Sequence, residues 1–76
     1  MTTNKLFNPS SVLIRIGLNI KKLREQKNIP QQDLAAACNF EKSNMSRIES
    51  GRSNLTVKTL LKIASALDVD LTTLIK

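Results

Sequence analysis

Apolar residues recur along the first third of the chain at helical spacing: Leu13, Ile16, Ile20 and Leu23 stand three, four and three apart. The turn of an α-helix lays such residues on one stripe, and Arg15, Lys21, Lys22 and Glu25 fall off it. Asn8-Pro9 predicts the start of this helix, because Asn caps well and Pro costs nothing in the first turn. Gly17 weakens the early turns by about 1 kcal/mol relative to Ala, and Lys27-Asn28 ends the helix. A second helix is predicted over 31–38 behind Pro30, with Leu34, Ala35 and Cys38 inward. At about two turns it is too short to persist alone and must be held by its neighbours. Asn39 falls where a sharp turn needs a left-handed residue, and Asn is the best choice after Gly. A third helix runs from Glu41 or Lys42 to Glu49, with Met45 and Ile48 inward, and Ser50-Gly51 stops it. Thr56 is a good N-cap for a fourth helix over 57–67, whose inward residues are Leu60, Ile63, Ala64 and Leu67. Asp68 closes that segment and Asp70 caps a short fifth helix over 71–75. With no extended alternating pattern to suggest strands, the expected class is all-α, five helices.

The two short helices and their turn are the informative part. Small Ala35 sits where two helices cross closely, Asn39 follows four positions later, and Phe40, Met45 and Ile48 lock the later helix against the earlier one. This is helix-turn-helix spacing. It leaves Lys42, Ser43, Asn44, Ser46 and Arg47 on one exposed face, free of Asp and Glu after Glu41, as a helix entering a DNA major groove requires.

Composition narrows the partner and the chemistry. The chain has 76 residues, 41% of them hydrophobic and 24% charged, which suits one small globular domain. The expected organisation is a flexible arm over 1–8 and a single domain over 9–76, with no room for a second, ligand-binding or catalytic one. Twelve Lys and Arg against six Asp and Glu give a net charge of +6, which favours a polyanion through counterion release. Phe7 and Phe40 are the only aromatics, too few for the stacking platforms of single-strand binders, so duplex DNA is the better polyanion. There is no His, hence neither the commonest metal ligand nor the commonest general base. Without a paired-carboxylate spacing or a Gly-rich phosphate loop, an enzyme, a metal site and a cofactor are not expected. The single Cys38 cannot form an internal disulfide and is most simply a small core residue. Its run from Leu34 falls far short of the roughly 20 apolar residues that span a bilayer. The start Met1-Thr2-Thr3-Asn4-Lys5 is too polar for a secretion signal, so a cytoplasmic protein with no membrane partner is expected.

The ordered stretches Ile20-Lys21-Lys22-Leu23-Arg24-Glu25, Gln31-Gln32-Asp33-Leu34-Ala35, Met45-Ser46-Arg47-Ile48-Glu49-Ser50-Gly51 and Leu60-Leu61-Lys62-Ile63-Ala64-Ser65-Ala66-Leu67 resemble one family. It is that of the phage-repressor and Cro-like helix-turn-helix domains, also called the xenobiotic-response-element family. In size and in the Asn54-Leu55-Thr56 loop the chain is similar to the single-domain controller proteins of restriction–modification systems. The resemblance implies a compact five-helix, lambda-repressor-like DNA-binding domain whose helices 2 and 3 form the helix-turn-helix. It departs from the family pattern at Asn39, Glu41 and Pro30, where Gly, a Ser or Thr cap, and a second such cap are usual.

The resemblance also assigns roles. Gln31 points backbone and side-chain donors at a phosphate. Lys42, Ser43, Asn44 and Arg47 reach bases or phosphates, Arg and Lys suiting guanine and Asn adenine. Arg52, Ser53, Asn54 and Lys58 grip the backbone of the same half-site, and Arg24 pairs structurally with Glu49. One recognition helix reads too few base pairs for a genomic address, so a transcriptional regulator acting as a homodimer on an inverted repeat is expected. Leu71, Leu74 and Ile75 are the first candidates for the dimer surface; Ile14 and Leu18 are a second. The alternatives are an antitoxin, whose main partner is a toxin protein, and a helical protein-interaction module.

Overall fold

The computed structural model describes residues 8–76; 1–7, nearly all of the expected arm, lie outside the described residues. Five helices follow in order: α1 (Pro9–Gln26), α2 (Gln31–Ala37), α3 (Lys42–Glu49), α4 (Val57–Leu67) and α5 (Leu71–Ile75). No strand occurs among the described residues. Helix α1 begins where the side chain of Asn8 accepts the Ser10 amide at 2.9 Å. In α4 the Thr56 hydroxyl accepts the Thr59 amide at 3.1 Å. By contrast, the residues that enter α2 and α3, Pro30 and Glu41, make no side-chain cap bond.

The ends of α1 to α4 share one device. A residue at positive φ, Asn28 at 58°, Asn39 at 61°, Gly51 at 77° or Asp68 at 57°, turns the chain left-handed. The next amide then reaches back five residues: Ile29 to Arg24 O at 3.0 Å, Phe40 to Ala35 O at 2.8 Å, Arg52 to Arg47 O at 2.9 Å and Val69 to Ala64 O at 3.0 Å. This is the Schellman arrangement, which satisfies orphan carbonyls and usually brings an apolar side chain back onto the helix. Ile29, Phe40 and Val69 are those apolar residues and pack on the core. After α3 the same place is held by Arg52, which is exposed.

The core gathers Ile16 and Ile20 of α1, Leu34 and Ala35 of α2, Met45 and Ile48 of α3, and Ile63 and Leu67 of α4. Leu74 completes it from α5 with no exposed surface. That corrects its assignment to a dimer surface: its side chain is packed in the core of the monomer, and the Asn19 amide donates to Leu74 O at 2.8 Å. Leu13, expected on the inner stripe, is half-buried and outside the core, and Val12 packs there instead. Cys38 caps α2 from just past its last turn.

Gly17 has a role that its helix-weakening effect hides. A Cβ built there would lie 2.5 Å from Glu49 O and 2.6 Å from Ile48 O. The end of α3 therefore rests directly on the backbone of α1, and only Gly permits that approach.

Candidate nucleic-acid interface

The anchor of the site is a buried polar network beneath α3. Arg24 of α1 and Glu49 of α3 are 9% and 5% exposed, and they meet through two parallel bonds. Arg24 Nε donates to Glu49 Oε2 at 2.7 Å and Nη2 to Oε1 at 3.1 Å. Arg24 Nη1 donates to Ile29 O at 2.9 Å, and Gln31 Nε2 donates to Glu49 Oε1 at 3.0 Å. The hydrogen bond to Glu49 raises the Arg24 pKa, partly opposed by burial. A bidentate guanidinium–carboxylate pair fixes angle as well as distance. Here it joins α1, the α1–α2 turn, the first residue of α2 and the last residue of α3.

At 100° per residue, α3 then divides into rows. Met45, Ile48 and Glu49 are buried. Ser43 and Arg47 lie opposite them, one turn apart and exposed. Lys42, Ser46 and Ser50 form the flank toward Glu49. They face a cleft of about 440 Å³ whose other walls are Lys21 and Arg24 of α1 and Gln31 and Gln32 of α2. Asn44 occupies the other flank and is half-buried, so it stands further from the outward row than Ser43 and Arg47.

Of the other residues singled out above, Arg52 is exposed and donates through Nε to Ser50 Oγ at 3.0 Å. Ser53 is half-buried, while Asn54 and Lys58 are exposed, Lys58 in the first turn of α4. Gln31 is half-buried. Its side-chain amide gives one donor to Glu49 rather than pointing all of them outward, because a buried carboxylate needs its lone pairs satisfied. Glu41 is exposed and caps nothing with its side chain. Cys38 is buried, and that burial pushes its thiol up, partly opposed by Lys62. Sequence reasoning passed over Lys21, Gln32 and Ser46 as cleft residues. The available signal was Lys21 standing three residues before Arg24, hence on the same side of α1.

Two short helices joined by a tight turn, the second held from behind and bare in front, define a helix-turn-helix protein. A helix-turn-helix family model matches residues 20–74. A helix-turn-helix-type transcriptional regulator of Sinorhizobium fredii is 39% identical over 54 residues, covering 71% of this chain and 70% of that protein. The control protein C.MunI of a Mycoplasma species is 33% identical over 66 residues, covering 86% of this chain and 89% of its own. Among solved structures, the restriction–modification controller protein C.AhdI of Aeromonas hydrophila superposes with a TM-score of 0.81 at 30% identity, over 84% of this chain and 97% of that one. The chain belongs to the helix-turn-helix family, a family of transcriptional regulators rather than of enzymes. Among the described residues no helix is long and apolar enough to cross a membrane.

Proposed function

We propose that this protein is a cytoplasmic, sequence-specific binder of duplex DNA that regulates transcription as a homodimer on an inverted-repeat operator. The observation that carries the reading is the outward row of α3. Ser43 and Arg47 are exposed directly opposite the residues that lock the helix in place. An Arg so placed can give two donors to guanine O6 and N7, and a Ser hydroxyl can serve several bases. Arg52, Asn54 and Lys58 follow on the exposed loop and on the start of α4, where they can hold the phosphates that set register without carrying sequence information. The relatives named as control proteins favour a controller role. Occupying a promoter is the simplest way for so small a body to act.

The dimer follows from the short reach of a single helix: two half-sites about 34 Å apart on one face of the duplex supply the missing specificity. With Leu74 in the core, Ile75 and half-buried Leu71 remain available from α5. The other bare apolar side chains are Ile14 and Leu18 of α1, 49% and 50% exposed, and Val57 and Leu61 of α4, 62% and 51% exposed. Among the described residues no feature favours the antitoxin or protein-module readings over this one.

Selection from randomised duplex DNA with the wild-type protein tests the proposal. The expected product is a palindrome with half-sites one helical turn apart, and sedimentation of the complex should give two protomers per duplex. Failure to enrich any sequence would contradict DNA reading, and a stable one-protomer complex would contradict the dimer.

A further inference from the structure

Glu41 has no role in the DNA contacts proposed above, and its setting is unusual for a carboxylate. The chain enters α3 through this residue in an extended conformation, φ −74° and ψ 151°. Its side chain makes no cap bond to α3, it is exposed, and among the described residues it forms no ion pair. The other acidic residues lie elsewhere: Glu25 and Glu49 beside Arg24, Asp33 in α2, and Asp68 and Asp70 at the α4–α5 junction. An unpaired anion thus stands at the start of the helix that the proposed function lays against a polyanion. We propose that Glu41 is a specificity residue, accepting a hydrogen bond from the N4 amine of one cytosine in each half-site. The inference rests on the DNA-binding reading above and adds to it a base contact outside the row of Ser43 and Arg47.

Position, rigidity and chemistry carry the assignment. In a recognition helix laid in the major groove the N-terminal residues are those that meet base edges, and Glu41 stands two residues before Ser43. Its backbone is held on both sides. The Phe40 amide donates to Ala35 O at 2.8 Å, and the Phe40 ring packs on the core with Lys62 Nζ 5.6 Å from its centroid. The Glu41 carbonyl accepts the Met45 amide at 3.1 Å. Successive side chains of an extended chain point to opposite sides, so with Phe40 turned inward Glu41 is turned out. A residue already so placed loses little freedom on meeting a partner. An ionised carboxylate can only accept hydrogen bonds. In the major groove guanine offers acceptors, adenine an acceptor beside its amine, and thymine an acceptor and a methyl group. Cytosine alone offers a donor and no acceptor. Toward a phosphate, by contrast, the same carboxylate meets like charge. Glu41 therefore discriminates in both directions, by a bond to cytosine and by unfavourable contact with the acceptors of the other bases.

The test is sequence selection from randomised duplex DNA by wild type, Glu41→Ala and Glu41→Gln, with Arg47→Ala alongside and the affinity of each for the selected duplex. Glu41 is exposed and caps nothing, so its variants should fold, and circular dichroism checks that they do. Wild type should require cytosine at one symmetric position of each half-site. Glu41→Ala should lose that preference, by about tenfold per half-site, while keeping the rest of the palindrome, including the position that Arg47→Ala relaxes. Glu41→Gln should admit adenine there, because an amide can donate to N7 while it accepts from N6. A carboxylate that merely favours the positive end of α3 would move the melting temperature and leave the selected bases alone. Variants that select the wild-type pattern, with affinity for every sequence changed alike, would therefore overturn the inference and leave the DNA-binding reading standing. If wild type selects nothing, that reading falls and the inference falls with it.

Discussion

Helices α1 and α4 differ from α2 and α3 in what holds them. The first two are 18 and 11 residues long, and each is capped by its own neighbour, Asn8 or Thr56. The other two are 7 and 8 residues long and enter without a side-chain cap. Helices that short are unstable in water by themselves. They are held instead from outside: by Arg24 through Glu49, by Gln31 reaching across to the same carboxylate, and by the close seat of α3 on Gly17. The two longer helices are stabilised by local sequence and the two helices of the helix-turn-helix by tertiary contact. That division suits a DNA reader, because a helix whose position is set by a bidentate pair and a backbone contact has little freedom to tilt.

The most forceful way to break this contrast is to remove Glu49. Glu49→Ala leaves Arg24 buried without its carboxylate and frees Gln31, which should cost about 3–5 kcal/mol. That is comparable to the whole stability of a domain this size. Chemical denaturation measures the loss. Native-state hydrogen exchange should show protection falling first in α2 and α3 and last in α4. Thr56→Ala addresses the other class of helix. It removes a local cap and should cost about 1 kcal/mol, with faster exchange confined to the first turn of α4. The smallest effect concerns Cys38. Its folded thiol holds its proton more tightly than the unfolded one, so its contribution is fully present below the ordinary thiol value of 9.0 and is lost as pH rises above it. Thermal melts should fall slightly more steeply above that pH for wild type than for Cys38→Ala.

The same division governs how much was legible in the sequence. Helix α4 announces itself, since Thr56, the stripe of Leu60, Ile63, Ala64 and Leu67, and the closing Asp68 are all local signals. The turn at Asn39 is legible for the same reason: its side chain tolerates the left-handed conformation that the backbone needs. The Ile29, Phe40 and Val69 that follow three helix ends could have been read as Schellman contacts from their position alone. Arg52, in the corresponding place after α3, marks the end that faces outward.

The remaining features depend on residues far apart in the chain. Nothing near Gly17 says that the carbonyls of Ile48 and Glu49 will lie against it. An apolar residue in the last helix can face inward or outward with equal local propriety, and Leu74 faces inward because the other helices leave it a place in the core. That Gln31 also gives a donor to Glu49 is not legible until α3 is folded beside the start of α2. Lys21 differs from its neighbour Lys22 only in standing three residues before Arg24, and what that side of α1 faces is settled when α2 and α3 fold against it.

On the proposed function, the outward row of α3, fixed from behind, reads base identity. Selection by Arg47→Ala beside wild type tests it most directly. The variant should still enrich a palindrome of the same spacing but tolerate substitution at one or two symmetric positions, with discrimination there reduced by about 1–3 kcal/mol. A variant that weakens binding equally to every sequence, with the selected pattern unchanged, would make Arg47 a phosphate contact and not a reader of bases.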